Sequence, residues 1–267
     1  MDAIPIIQFE NVSLTLGKKR FFNNLNVTVY SGETFLIFGP YGCGKSLIPR
    51  LLMRMVQPDS GIICIKGRNI AKLSDNHLNR LRNSIGFVPR ENHLINNLSV
   101  YQNIALPLSF HAYLKSSEIH KKVSDVIDFL NLGIVAGCRP YQLSMLIAKK
   151  VAVGRAMVNL PEFMLIDSAY VNLDTIAACQ INHLIFHSVH KWIQEQRIIA
   201  SLSPSITYLT LVNILFNVLE YINRAAMLYK GEFLFEGTPE LLHASENPFV
   251  QQYVQARLEG PIKYEEV

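Results

Sequence analysis

The hydrophobic pattern of the first third of the chain predicts strands that lead into a helix. Residues 6–16 and 25–30 are predicted as short strands, and residues 34–38 form an unbroken apolar run that is followed by glycines. A run that is apolar throughout is typical of a strand buried on both faces. A helix is predicted directly after this run, because apolar residues follow at helical spacing: Leu47, Ile48, Leu51, Leu52 and Met55.

The remaining two thirds repeat the alternation of strands and helices. Apolar residues between positions 94 and 157 have helical spacing, with no strand pattern of comparable strength. The other predicted elements are strands at 61–67 and 163–167, a helix at 175–194 and a hairpin at 226–235 that turns at Lys230 and Gly231. The predicted fold class is therefore α/β, with a mostly parallel sheet and an attached helical lobe.

Composition favours one folded domain that works with partners. Of the 267 residues, 49% are hydrophobic and only 17% are charged, which excludes intrinsic disorder and indicates an apolar surface for partner contact. The net charge of +4 is spread along the chain without a run of five like charges, so no nucleic-acid partner is expected. The four cysteines form no C-x-x-C pair, which predicts buried, reduced thiols in the cytoplasm. No signal-peptide pattern opens the sequence.

One uncharged stretch, residues 198–219, is long enough to span a bilayer. It is interrupted by serine, threonine, asparagine and proline residues. Two interpretations remain, a membrane span or a buried strand followed by an apolar helix, and the second is preferred.

The apolar run 34–38 leads into a segment that fits the phosphate-binding pattern G-x-x-x-x-G-K-[ST]. Backbone N–H groups of such a loop cradle phosphates, the lysine reaches the β- and γ-phosphates of a nucleotide, and the final hydroxyl binds Mg²⁺. Asp167, which ends the apolar run 163–167, is predicted as a carboxylate of the Mg²⁺ second shell rather than as a helix cap. The predicted nucleotide-binding residues are Gly39, Pro40, Tyr41, Gly42, Cys43, Gly44, Lys45 and Ser46, and the predicted metal residues are Ser46 and Asp167.

With these motifs, the chain resembles an ABC transporter ATPase subunit from residue 7 to about residue 262. Residues 172–174 resemble the D-loop of that family, and residues 85–88 and 98–104 resemble the segments on either side of its Q-loop. The resemblance implies ATP and Mg²⁺ as cofactors and a P-loop NTPase fold, with an antiparallel β subdomain and a helical subdomain. It implies a single domain over 1–267, with a core at 1–90 and 155–240, a helical subdomain at 91–154 and a tail at 241–267.

The tail, at residues 247–253 and 259–262, is similar to the MCE-associated, Mla-type branch of the family. That branch powers phospholipid traffic between bacterial membranes. The resemblance implies two partners, a membrane permease and a second ATPase subunit in a homo- or heterodimer. It also implies a peripheral location on the cytoplasmic face of the inner membrane.

The chain departs from the family pattern where hydrolysis is controlled. Ser168 stands at the position of the glutamate that polarises the attacking water, and loss of such a base costs on the order of 10² to 10⁴ in rate. Met145 and Leu146 replace the signature glycines, and Arg90 replaces the Q-loop glutamine. The switch histidine is missing: its position falls near residues 201–203 or near residue 213.

Leu16 takes the place of the aromatic residue that would stack on adenine, at a cost of about 1 kcal/mol. No residue is therefore assigned a catalytic role, and the combined departures predict a pseudo-ATPase that binds ATP with impaired hydrolysis. Two hypotheses follow: a transporter subunit that retains some coupled hydrolysis, or a catalytically silent scaffold or regulatory module docked on a permease. An intact ATPase gene beside this one would favour the first.

Overall fold

The computed structural model describes residues 4–110, 114–203, 205–215 and 218–263. The strands are β1 (Pro5–Leu16), β2 (Lys19–Tyr30), β3 (Thr34–Phe38), β4 (Ser60–Ile65), β5 (Arg68–Asn69), β6 (Ile85–Val88), β7 (Phe163–Asp167), β8 (Thr207–Val212), β9 (Arg224–Tyr229) and β10 (Glu232–Gly237). The α-helices are α1 (Leu47–Leu52), α2 (Asp75–Asn83), α3 (Val100–Ser109), α4 (Ser116–Phe129), α5 (Met145–Met157), α6 (Thr175–His183), α7 (His190–Ile199), α8 (Pro239–His243) and α9 (Pro248–Val254). Short 3-10 helices lie at Ile70–Lys72, Gly133–Val135, Pro140–Gln142 and Leu219–Tyr221.

The chain divides into two compact units, of which the first contains Met1–Leu78 and Thr207–Val267. It holds an antiparallel sheet in the order β2-β1-β4-β5. It also holds a second group of paired strands, with parallel and antiparallel pairs, in the order β10-β9-β3-β8. In the second group β3 runs parallel to both β8 and β9, which confirms the parallel arrangement predicted for the buried strands. Arg224 on β9 joins the two groups, because its guanidinium donates to the Thr28 carbonyl of β2.

Strand β3 is buried from Phe35 to Phe38, as its apolar sequence predicted. Phe38 pairs in register with Val212 of β8, so the loops that follow both strands begin at the same edge of the sheet. The helix after β3 is shorter than predicted, since α1 ends at Leu52. Arg54 has a left-handed backbone (φ 51°). The turn therefore places Met55 outside the helix, with 68% of the residue exposed.

The uncharged stretch at 198–219 contains the fully buried strand β8, which confirms the predicted strand. The apolar helix predicted to follow is wrong: only the 3-10 turn Leu219–Tyr221 is found, and positions 204 and 216–217 lie outside the described residues. None of the helices in the described ranges is both long enough and apolar enough to cross a bilayer.

The second unit, Asn79–Ile206, contains β6 and β7 as a parallel pair with Ile85 opposite Phe163. The helical pattern between 94 and 157 is confirmed by α3, α4 and α5. Helix α5 packs closely on its neighbours, since a Cβ at Gly154 would lie 2.9 Å from a methyl carbon of Leu130. The division into core, helical subdomain and tail stays a prediction.

The helix predicted at 175–194 is confirmed as a continuous helical run that extends to Ile199, within which the π-helical segment Leu184–Val189 joins α6 to α7. Apolar spacing does not distinguish a π turn from an α turn over one or two turns. The cysteine prediction also needs correction. All four thiols are free, but each lies partly exposed rather than buried, for example Cys43 in the phosphate loop.

Candidate functional site

Two glycines determine the course of the loop after β3. Gly39 has a φ of 151°. A Cβ there would lie 2.2 Å from the Leu228 carbonyl oxygen, so no side chain fits. Gly44 has a φ of 104°, and a Cβ there would lie 3.1 Å from the Phe21 ring. The loop therefore follows a backbone path that side chains at these two positions would disrupt.

Lys45 turns its side chain back into the loop and is only 5% exposed. Its Nζ donates to the carbonyl oxygens of Gly39 at 2.7 Å and Pro40 at 2.9 Å, and it lies 3.3 Å from Cys43 Sγ. The two carbonyl acceptors are neutral. A buried ammonium gains more from an anionic oxygen than from a neutral carbonyl, so this arrangement fits the phosphates of a nucleotide.

A second cation lies at the loop and was not found from the sequence. Lys19, the first residue of β2, donates from Nζ to the Gly42 carbonyl at 3.3 Å, and its ammonium lies 5.3 Å from the centre of the Phe21 ring. The basic triplet Lys18, Lys19 and Arg20 at the β1–β2 turn was the available signal. Leu16 ends β1 and is 39% exposed.

In the second unit, Asp167 is the last residue of β7 and is 7% exposed. Ser168 follows with a left-handed backbone (φ 48°) and is 2% exposed. Asp174, in the segment that resembles the D-loop, caps α6 because its carboxylate accepts the Ala177 N–H at 2.9 Å. The buried hydroxyl of Ser168 thus stands where the resemblance predicts a glutamate.

Helix α5 holds the loop that contains Arg90 through Lys149 and Arg155. Lys149 is 1% exposed, and its Nζ donates to the carbonyls of Pro89 at 3.3 Å and Arg90 at 2.9 Å. Arg155 donates to the carbonyls of Asn92 and His93 at 2.9 and 2.7 Å. Burial lowers the pKa of Lys149 to about 8, although the charges of Asp167 and Glu91 oppose the shift. The loop after β6 is therefore bound to α5 by one buried cation, Lys149, and one partly buried cation, Arg155.

The low pKa of Lys149 predicts a specific pH dependence of stability. Between pH 8 and 10.5 the unfolded chain retains the proton that folded Lys149 has lost, so this group makes the free energy of unfolding rise with pH. The rise is at most about 3 kcal/mol and is absent from Lys149→Met. Urea unfolding of both proteins across this range measures it, with Lys150→Met as control. A difference between wild type and Lys149→Met that stays constant with pH would contradict the assignment.

The start of α5 carries Met145 and Leu146, at the positions where the resemblance predicts the signature glycines. The Ser144 hydroxyl caps the helix by accepting the Ile147 N–H at 3.4 Å. Met145 is 45% exposed, and its sulfur lies 3.5 Å from the Asn92 amide nitrogen. Leu146 is partly buried. Both bulky side chains therefore stand in the first turn of the helix.

Of the two positions considered for the switch histidine, the structure places Asn213 directly after β8, at the sheet edge where the phosphate loop begins. Residues 201–203 follow α7 in the second unit. Because the switch residue is expected beside the phosphate loop, position 213 is favoured over residues 201–203 for that role.

A family model described as ABC transporter matches residues 22–171, which is more than half of the chain. The chain belongs to the ABC transporter family. Its α/β fold, with an antiparallel β sheet and helices beside the parallel strands, is that of an ATP-binding cassette. It is a nucleotide-binding subunit of an ABC transporter.

Among curated proteins, this cassette is 28% identical to Protein TRIGALACTOSYLDIACYLGLYCEROL 3, chloroplastic, of Arabidopsis thaliana, over 98% of this chain and 77% of that protein. It is 26% identical to the intermembrane phospholipid transport system ATP-binding protein MlaF of Escherichia coli K12, over 97% of this chain and 92% of MlaF. Among solved structures, it matches the dimeric ATP-binding cassette MJ0796 bound to ADP and Pi. That match has 26% identity and a TM-score of 0.73, and it covers 87% of this chain and 98% of the other.

Proposed function

We propose that this cassette is the ATP-binding subunit of an Mla-type phospholipid transporter, and that it binds ATP while hydrolysing it poorly or not at all. The observation that supports binding is the buried ammonium of Lys45, which is held by neutral loop carbonyls at 2.7 and 2.9 Å. Gly39, Pro40, Tyr41, Gly42, Cys43, Gly44, Lys45 and Ser46 form the proposed phosphate site. Mg²⁺ would bind the Ser46 hydroxyl, with Asp167 in its second shell, and would offset the charge of the phosphates.

The lipid assignment rests on the length of the similarity to two relatives. The alignment with MlaF covers 97% of this chain and therefore extends past residue 171, where the family match ends. MlaF is named for phospholipid transport, and the chloroplast relative is named for a lipid. By analogy with these proteins and the dimeric cassette, we propose a permease and a second ATPase subunit as partners, on the cytoplasmic face of the membrane.

The proposed loss of hydrolysis rests on Ser168. A serine hydroxyl does not accept a proton from water near neutral pH unless a base stands behind it. Ser168 takes the sequence position that the resemblance gives to the catalytic glutamate, and it is only 2% exposed. The bulky Met145 and Leu146 would in addition keep a nucleotide on a partner subunit away from α5.

The two hypotheses differ in whether the phosphate loop supports turnover. Retained hydrolysis requires phosphate release that depends on Lys45, whereas a silent module binds Mg-ATP and releases no phosphate. Comparison of wild type with Lys45→Ala therefore separates them.

We expect the purified wild-type protein to bind Mg-ATP and to release phosphate no faster than Lys45→Ala. Ser168→Glu alone should not restore turnover, since Met145, Leu146 and Arg90 remain, and a carboxylate at this buried position also loses hydration. Phosphate release is measured on the lone protein and on the assembled transporter. Turnover that Lys45→Ala abolishes would overturn the silent module in favour of retained hydrolysis.

A further inference from the structure

The C-terminal helix α9 contacts the first residue of the phosphate loop through Tyr253. The Tyr253 ring lies 5.5 Å from the Phe38 ring, at an interplanar angle of 43°. Its hydroxyl donates to the Gly39 carbonyl at 2.8 Å and also reaches the Asn213 carbonyl after β8. One side chain of the tail therefore joins the two loops that leave β3 and β8 at the same edge of the sheet.

The Gly39 carbonyl is shared between two donors. Lys45 Nζ donates to it at 2.7 Å and the Tyr253 hydroxyl at 2.8 Å. Gly39 is buried. Little space surrounds it, because a Cβ added at this position would lie 2.2 Å from the Leu228 carbonyl oxygen. If the Lys45 ammonium turns towards a phosphate, this buried acceptor loses one donor. A buried carbonyl without a donor is unfavourable, so a second donor would lower the cost of releasing Lys45.

A phenolic hydroxyl has a single proton, which can be donated fully to only one carbonyl at a time. Tyr253 has two carbonyls within reach, and they belong to different loops. While Lys45 satisfies Gly39, the proton can be directed to Asn213. When Lys45 leaves, the same proton can turn to Gly39 without movement of α9.

We propose that Tyr253 is a positioning residue for the phosphate loop, and that its hydroxyl shifts from the Asn213 carbonyl to the Gly39 carbonyl when a nucleotide draws Lys45 away. This inference rests on the proposed binding of ATP by the same loop. It makes the tail part of the nucleotide site and links occupancy of that site to the segment after β8. The ligand class is a di- or triphosphate, because the loop responds to the phosphates and not to the base.

Tyr253→Phe tests the proposal, because it removes the hydroxyl and keeps the ring against Phe38. Calorimetric titration should give about 3- to 10-fold weaker binding of both ATP and pyrophosphate, with the number of sites unchanged. A loss of folded protein would instead lower the number of sites. The matched control is Tyr229→Phe, since the Tyr229 ring also packs on α9, 5.2 Å from Phe249, and its hydroxyl has no hydrogen bond among the described residues.

Hydrogen exchange supplies a readout that does not depend on binding. Without nucleotide, the amides of residues 213–215 should exchange faster in Tyr253→Phe than in wild type or Tyr229→Phe, because the Tyr253 hydroxyl then donates to the Asn213 carbonyl. With ATP, exchange at residues 213–215 should change in wild type and stay constant in Tyr253→Phe. Equal affinities and equal exchange in the two tyrosine variants would overturn the proposal.

The two proposals fail in different ways. If wild type binds neither ATP nor pyrophosphate, the proposed function is wrong and the nucleotide-driven shift is wrong with it. Faster exchange at residues 213–215 in Tyr253→Phe would then still support the contact between Tyr253 and the segment after β8. If wild type binds ATP and Tyr253→Phe binds it equally well, the proposed function stands and the role of Tyr253 is overturned.

Discussion

Replacing Lys45 by alanine should weaken Mg-ATP binding by about 30- to 1000-fold, because truncation of one partner in a buried, charge-assisted contact costs about 2–4 kcal/mol. The buried position of the ammonium, 5% exposed, makes this loss larger than that of a surface lysine. The affinity is measured by calorimetric titration with ATP in the presence of Mg²⁺.

The control for the Lys45 prediction is Lys72→Ala, which removes the same charge from an exposed position in the same unit. Its affinity should stay within about twofold of wild type, as screened surface charges contribute little. Equal loss in both variants would mean that net charge, rather than the phosphate loop, determines binding. An unchanged affinity in Lys45→Ala would exclude the loop as the nucleotide site.

Gly39→Ala should destabilise the protein by about 3 kcal/mol or more and should abolish ATP binding. A Cβ would lie 2.2 Å from the Leu228 carbonyl oxygen. This oxygen is a backbone atom of β9, so it cannot move aside as the end of a flexible side chain could. The backbone of β3 or β9 would therefore have to move. Thermal unfolding measures the loss of stability, and titration with ATP measures the loss of binding.

Gly42→Ala is the matched control within the same loop. Gly42 also has a left-handed backbone (φ 77°), but a Cβ there meets no atom within 4 Å. The cost should therefore be the conformational strain alone, about 1–2 kcal/mol. Equal destabilisation by the two substitutions would show that strain, and not the contact with Leu228, makes glycine necessary at position 39.

The strands that carry the site were predictable because each is apolar throughout. β3 and β7 were placed at their observed bounds, since a strand buried on both faces is a nearly continuous apolar run; Gly39 follows the run of β3, and Asp167 ends that of β7. The loop between β3 and α1 was predictable for a different reason: the spacing of its glycines with Lys45 and Ser46 is a local property of the sequence.

The contacts that hold the site together could not be predicted in the same way. Tyr253 reaches Gly39 across 214 positions of the chain, and no local pattern relates the two residues. Lys149 lies on a helix that is apolar on most sides, where sequence alone suggests an exposed cation and the structure shows one bonded to two carbonyls. Burial of a long cationic side chain depends on which carbonyls the fold brings to it.

The residues in the first turn of α5 also affect how readily this helix forms. Glycine in a helix is about 0.8–1 kcal/mol less favourable than alanine, whereas methionine and leucine are among the better helix formers. With Ser144 already serving as the cap, Met145 and Leu146 strengthen the beginning of this helix. At these two positions, helix propensity therefore favours the residues of this chain over glycine, whatever their effect on a nucleotide.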